Sequence, residues 1–431
     1  MSIDRGAQVI LQSEKSGGGM SCVGFMGLPV VNPAFIALVS ADSPEAFANT
    51  DVLRRELERE ILALDVRAQR VSMPCHGIAS GPESCHAHTE PSCRKLLVLV
   101  GDEKTPFEPR ASFAPWLPGD PMYAVLPVFP QVAKTGVTGL LPQNFQAINV
   151  EFWSRSITGA IPAVLALAGL TSDRPRIFIS YRQKESAALA MQLFDALAHE
   201  NFDVFLDHYR IDPGINFQAR LTQELGDKAM LLLIESAGML ASQWTIYEIN
   251  VAKECGLGVF ALQPPGGKDV PGVDEAVRQR LADGDFEGGA FAATVVLQDV
   301  ALADVIERVK REHDRALVRR RRVLRTSFEA ALLLEGVSSY SFDEHGILHV
   351  SRPGPKEYRV WLTPRPPELE DFYITHLRCQ PPIKGVVIGL SRLMEPPRIQ
   401  QSDWLAGLCQ LRLIDEGRLK DAAADIARGV L

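Results

Sequence analysis

From Arg176 to Gln263 short apolar runs alternate with amphipathic stretches, and this alternation limits the fold more than any other feature of the chain. "RIFISY" reads as a strand, "ESAALAMQLFDALAHEN" as a helix and "DVFLD" as a second strand. After the turn-bearing loop "HYRIDPGINF" come the helix "QARLTQELGDK", the strand "AMLLLIES", a helix through "SQWTIYEIN" and the strand "GVFALQ". Short unbroken apolar runs suit strands buried on both faces, and strands joined through helices run parallel. The expected product is a doubly wound parallel sheet of about 125 residues.

A similar rhythm precedes this region. From Ala34 to Leu170, "AFIALVS", "KLLVLVGD" and "YAVLPVFP" read as strands and "DVLRRELEREILAL" as an amphipathic helix. "VEFWSRSITGAIPAVLALAGL" is expected to form a helix ending at Gly169, and "TSDRP", residues 171–175, marks a break. Beyond the loop "PPGGKDVPG", the stretch "LADVIERVKREHDRALVRRRRVLRTSFEAALLLEG" reads as one or two long basic helices. The last region holds the strand candidates "GILHVSR", "YRVWLT" and "KGVVIGLS" and a closing helix, "EGRLKDAAADIARGV". The expected organisation is an N-terminal α/β region (1–170), the doubly wound domain (174–300), a basic helical connector (301–336) and a small C-terminal α/β region (337–431). The loose rhythm shared by the first two regions points toward duplication of one fold type.

At 431 residues the chain suits two or three domains. Hydrophobic residues at 46% and charged residues at 23% fit a globular class and exclude a disordered one. The net charge of -8 argues mildly against nucleic acid as the main partner. The first residues lack a basic segment followed by an apolar one, and the apolar run "AIPAVLALAGL" is shorter than the roughly 18–20 residues that cross a bilayer. A soluble cytoplasmic protein without membrane contact is the expectation. Seven cysteines, an odd number, suit reduced thiols better than a disulfide framework.

One helix contains an anomaly. Trp244, Tyr247, Val251 and Cys255 occupy the i, i+3, i+7 and i+11 positions of one apolar stripe, and the i+4 position holds Glu248. Residues i and i+4 share a helix face, so an aromatic surface and a carboxylate would face the same cleft.

The blocks "RPRIFISYRQKES", "FDVFLDHYRIDPGINFQARLTQEL", "DKAMLLLIES" and "SQWTIYEINVAKECGLGVFAL" together closely resemble a bacterial TIR (Toll/interleukin-1 receptor) domain over roughly residues 174–265. The resemblance implies a flavodoxin-like sheet of order 2-1-3-4-5, whose ligands bind outside the carboxyl ends of the strands at the switch in strand order. Many such domains cleave NAD+ at the nicotinamide N-glycosidic bond, with a glutamate one helical turn after a tryptophan. Trp244 and Glu248 reproduce that pattern, which makes Glu248 the implied catalytic residue. Tyr181, Arg182, Asp207 and Phe217, together with Trp244, match positions implied to contact substrate. Pro213 and Gly214 lie in the loop implied to join TIR domains into a homo-oligomer. Gln183 stands where many relatives carry a second polar or basic residue.

The implied function is NAD+ cleavage to nicotinamide and ADP-ribose or a cyclised form, in bacterial antiphage or stress defence. NAD+ is then a substrate, and no resident cofactor or metal is implied. The flanking regions would sense a trigger or restrain the enzyme, with the N-terminal region flavodoxin-like or TIR-like and open to an activating ligand. The alternative is a non-catalytic module for TIR–TIR interaction.

Each residue also has a plainer reading. Glu248 could lie partly exposed at the edge of its stripe, Trp244 could be core, Arg182 could form a surface ion pair, and Asp207 could cap a turn. Cys75, His76, Cys85, His86, His88 and Cys93 could bind zinc, but their spacing does not form two matched pairs and equally suits a loop with reduced thiols. The basic run from Arg308 to Arg325 lacks interleaved aromatic residues, so a solvated connector helix is favoured over a nucleic-acid surface. No P-loop, H-E-x-x-H or G-x-S-x-G pattern with triad context is present.

Overall fold

Val9–Glu14 (β1) and Met20–Met26 (β2), joined by residues 15–19, pair as an antiparallel hairpin, the arrangement that a link this short permits. They belong to a computed structural model that describes residues 8–16, 19–28, 33–65, 67–73, 93–108, 113, 116, 123–133, 136–153, 156–171, 175–206, 217–241, 243–342, 347–351, 357–379 and 383–431. The chain divides into two compact units, Met1–Asp173 with Phe342–Gly346, and Arg174–Ser341 with Ile347–Leu431.

In the first unit β1 and β2 join Ala34–Ser40 (β3), helix Pro44–Leu64 (α1), Gln69–Ser72 (β4), Arg94–Val100 (β5), Tyr123–Pro130 (β6) and Glu151–Trp153 (β7). The sheet order is β4-β2-β1-β3-β5-β6-β7. The five strands from β1 to β7 in that order are parallel, while β2 pairs antiparallel with β1 and β4 pairs antiparallel with β2. This differs from the 2-1-3-4-5 order, because the hairpin occupies the side of β1 where a crossover strand would lie.

The segment expected as one helix to Gly169 is instead β7, a 3-10 turn over Ile157–Ala160 and a short helix, Ile161–Leu167 (α2). Pro162 lacks an N–H and is accommodated only at the start of a helix, so the helix begins there.

The second unit opens with Arg176–Ser180 (β8), Gln183–His199 (α3), Asp203–Leu206 (β9), Phe217–Asp227 (α4), Met230–Ile234 (β10), Gln243–Glu254 (α5), Gly258–Gln263 (β11) and the short Arg278–Arg280 (β12). Every pairing is parallel and the order is β9-β8-β10-β11-β12, so the expected 2-1-3-4-5 sheet is present. Strand parity sorts the core. Ile177, Ile179, Val204 and Leu232 face Leu189, Leu193 and Leu197 of α3. Phe178, Phe205, Leu231 and Leu233 face Leu221 and Leu225 of α4 and Ile249, Ala252 and Cys255 of α5. Side chains on a strand alternate between faces, and both faces here are covered, which explains the unbroken apolar runs.

The basic stretch forms one helix, Asp299–Leu334 (α6), of 36 residues. Its N-terminal half buries Ala301, Val305, Ile306 and Val309 in the α3 side of the sheet. Gly258 admits it closely, since a Cβ there would overlap that of Ala316.

Its C-terminal half serves a five-stranded sheet, built from Tyr340–Phe342 (β13), Leu348–Ser351 (β14), Glu357–Leu362 (β15), Lys384–Gly389 (β16) and Leu411–Asp415 (β17). These strands lie in sequence order, with helices Leu369–Arg378 (α7), Pro396–Leu408 (α8) and Leu419–Arg428 (α9). Within the run expected to be solvated, Arg320 is buried, donating to the Pro364 carbonyl at 2.6 Å and pairing with both carboxylate oxygens of Glu416 at 3.0 and 2.9 Å. Buried His313 accepts the Arg176 N–H at Nε2 (3.3 Å) and sits 3.3 Å, through Nδ1, from Asp314, whose carboxyl burial pushes up. A long helix with a buried stripe on each half can therefore carry arginines without being solvated. Among the described residues, no helix is long and apolar enough to cross a membrane.

Candidate active site

The chain leaves β8 for β9 on one side and then returns to β10 on the other, so the switch in strand order lies between β8 and β10. Ligands of open α/β sheets bind at the carboxyl ends of such strands. Ser180 is the last residue of β8 and, two positions after Phe178, faces the α4/α5 side. Glu248 lies in the middle of α5. The two meet, with Ser180 Oγ donating to Glu248 Oε2. Both side chains are buried, and Glu248 is only 2% exposed. The plainer expectation of a partly exposed residue at the stripe's edge is thus replaced by a buried carboxylate held by a hydroxyl, placed where this fold binds ligands.

A second arrangement ties the loop after β8 to the loop after β10. Arg182 occupies the residue before α3 and donates from Nη1 to Glu185 Oε1 at 2.6 Å. Glu185 Oε2 accepts the Gly238 N–H at 2.8 Å. Burial pushes the Glu185 carboxyl up, but the nearby Ser236 hydroxyl, the Gly238 N–H and the Arg182 charge outweigh it and hold the group below its usual range. A Cβ on Gly238 would overlap Arg182 Nη1 and Glu185 Oε1, so a larger residue there would displace this ion pair.

A third carboxylate, Glu235, follows β10 and is fully buried. Arg278 grips it from Nε at 2.6 Å and Nη2 at 2.9 Å, and the Val270 N–H and Gln263 Nε2 donate to it at 2.9 and 3.2 Å. The hydrogen bonds to Glu235, aided by those to Glu275, raise the Arg278 pKa further. With all its acceptors engaged, Glu235 anchors β12 and residues 264–277 to the end of β10.

Tyr181 is buried in the cluster with Leu189 and Leu193 on the α3 side, the face opposite to Glu248. Arg182 is joined to Glu185. Trp244 lies on α5 one turn before Glu248, and Phe217 opens α4; their side chains lie outside the described residues. Asp207, Pro213 and Gly214 lie outside them altogether, as do Cys75, His76, Cys85, His86 and His88. Cys93 is buried, and burial pushes its thiol up to about 11. Among the described residues, no group of three His, Cys, Asp or Glu side chains is arranged to hold a metal ion.

Ser180, Glu185, Gly238 and Glu235 were not singled out from sequence. Ser180 could have been found from strand parity, since a polar residue ending an apolar strand on the face of Glu248 needs a buried partner. The pairing of Glu185 with Gly238 had no such signal, since it joins residues 53 apart.

The part of the chain that carries these groups also has a counterpart among known domain families. Residues 177–264, from β8 to just beyond β11, match the family model of the TIR domain, about a fifth of the chain. Over these residues, with its parallel sheet in the order β9-β8-β10-β11-β12, the chain carries a TIR domain.

Proposed function

We propose that this TIR domain cleaves NAD+ at the nicotinamide N-glycosidic bond, with Glu248 as the catalytic carboxylate. The observation that carries the reading is the buried Glu248 carboxylate, fixed by Ser180 at the switch point and one turn from Trp244. Nicotinamide leaves as a neutral base, so the reaction needs no general acid, unlike an ordinary glycoside with its second carboxylate. As the C–N bond breaks, positive charge grows on the ribose. A carboxylate already desolvated and oriented stabilises that charge, a role whose removal typically costs on the order of 3 kcal/mol. Water then captures the cation to give ADP-ribose, or another part of the same molecule captures it to give a cyclic product. Defence or stress signalling within the cytoplasm, switched on by a trigger acting through the flanking regions, is the setting that suits NAD+ depletion.

One observation favours a second reading, a TIR–TIR interaction module. Glu248 is almost wholly buried and Arg182 is taken up by Glu185, so the arrangement is closed. The catalytic reading accommodates this as a resting form that opens on assembly. Purified protein incubated with NAD+ over a range of protein concentrations, with products separated by chromatography, distinguishes the two. Nicotinamide and ADP-ribose, linear or cyclic, in equal amounts support catalysis. Their absence at every concentration, with TIR-dependent association intact, supports the interaction module.

A further inference from the structure

Helices α7 and α8 connect β15 to β16 and β16 to β17, crossovers between neighbouring parallel strands made in the same direction. Right-handed crossovers place both helices on one face of the sheet. Their ends are tied by His376 Nδ1, 3.0 Å from the Cys409 carbonyl oxygen. The inward faces are already satisfied, with Phe372 and Thr375 of α7 and Ser402 and Ala406 of α8 buried.

The outward faces are the unusual ones. Leu369, Tyr373 and Leu377 recur every four residues along α7, and Trp404 and Leu408 do the same on α8. All five are between 55% and 65% exposed. An outward helix face is ordinarily polar. Five large apolar side chains exposed to this degree leave on the order of 600 Å² of apolar surface, as large as the largest patch of a typical monomer.

We propose that the α7/α8 face is a homodimer interface, on which a second copy of this chain packs its own α7 and α8 about a two-fold axis. The area favours this occupant. Two such patches facing each other remove on the order of 1,200 Å² of surface before any polar rim is counted, which reaches the range of specific interfaces. Charge favours it too. Of the Asp, Glu and Arg side chains on the two helices, the exposed ones, Glu370 and Asp403, are both acidic, while the arginines, Arg378 and Arg398, are half-buried, and Arg398 is bound to Asp227 at 2.8 Å. An anionic bilayer or a nucleic acid needs basic residues around such a patch. A two-fold contact needs only one patch that complements itself, and it places uncharged aromatic and aliphatic groups at the centre, as stable interfaces do. The contact is separate from the NAD+ reading. It would present TIR domains in pairs and so raise their effective concentration for TIR–TIR assembly.

Sedimentation velocity of the full chain over micromolar concentrations tests the interface. The expected species has twice the 47.3 kDa chain mass. Tyr373→Asp combined with Trp404→Asp should weaken dimerisation on the order of 100-fold and give monomer, with an unchanged far-UV circular dichroism spectrum, because both side chains are exposed. Val300→Asp, at an exposed site on α6, should leave the dimer intact. A wild type that stays monomeric, or a dimer that survives the double substitution, overturns the proposal. So does dissociation by Val300→Asp to the same extent.

Discussion

Ser180, at the end of β8, donates its hydroxyl proton to the carboxylate of Glu248, 68 residues later in the chain. The contact holds a buried carboxyl group at the carboxyl end of β8, beside the switch in strand order. A hydrogen bond to a charged group contributes about 1.5–3 kcal/mol, and each 1.36 kcal/mol of barrier is tenfold in rate. Ser180→Ala is therefore expected to lower kcat for nicotinamide release by about 10- to 100-fold, with a smaller change in KM. Ser180→Thr, which retains the hydroxyl, should recover part of the loss. Steady-state kinetics of both variants checks this.

Arg182 is implied to contact the nucleotide, yet Glu185 holds it. Glu185→Gln should free the guanidinium and lower KM for NAD+ about threefold, since a neutral amide retains hydrogen bonding without the ion pair. Gly238→Ala, whose Cβ would displace the pair, should act in the same direction. In Gly238→Ala, where the displaced carboxylate no longer accepts it, hydrogen exchange at the residue-238 amide should quicken by about tenfold, the loss of one modest hydrogen bond.

The same pair carries a pH dependence. The Glu185 carboxyl is held below its usual value in the folded protein. A depressed acid contributes stability that is fully present above the unfolded value, about 4.3, and is lost as pH falls through the folded value. Protection at the Gly238 amide, corrected for intrinsic exchange, should therefore stay constant from neutral pH to about 4.3 and decline below it. Glu185→Gln should remove that decline.

Glu235 and Arg278 form a buried pair in which the carboxylate is fully enclosed. Removing one partner of such a pair strands the other charge and costs about 3–5 kcal/mol. Arg278→Met and Glu235→Leu are each expected to lower the urea midpoint of the TIR-containing unit sharply. The double substitution should recover much of the loss, because neither charge then remains buried alone. Denaturation of all three, followed by intrinsic fluorescence and circular dichroism, checks the ranking.

The TIR sheet was legible because its strands are short apolar runs covered on both faces, and because four blocks appear in a familiar order. Position, more than identity, decided what could be read of the site. Glu248 interrupted an apolar stripe and so drew attention, whereas Ser180 looked like an ordinary strand end until β8 parity placed it opposite. Arg320 shows why the basic helix misled. Seen locally it belongs to a solvated run, but its partners Pro364 and Glu416 lie 44 and 96 residues away. The hairpin of β1 and β2 was missed for a related reason, since β1 is only six residues long and gains its place through pairing on both sides.

The central claim is that the charge of Glu248, and not merely its shape, drives cleavage of NAD+. Glu248→Gln keeps the side-chain volume and an acceptor for Ser180 while removing the charge. Nicotinamide release by the full chain, followed by chromatography at matched high protein concentration, should fall by about 100-fold or more in this variant, with NAD+ binding retained. Equal rates of release from wild type and Glu248→Gln would contradict the account.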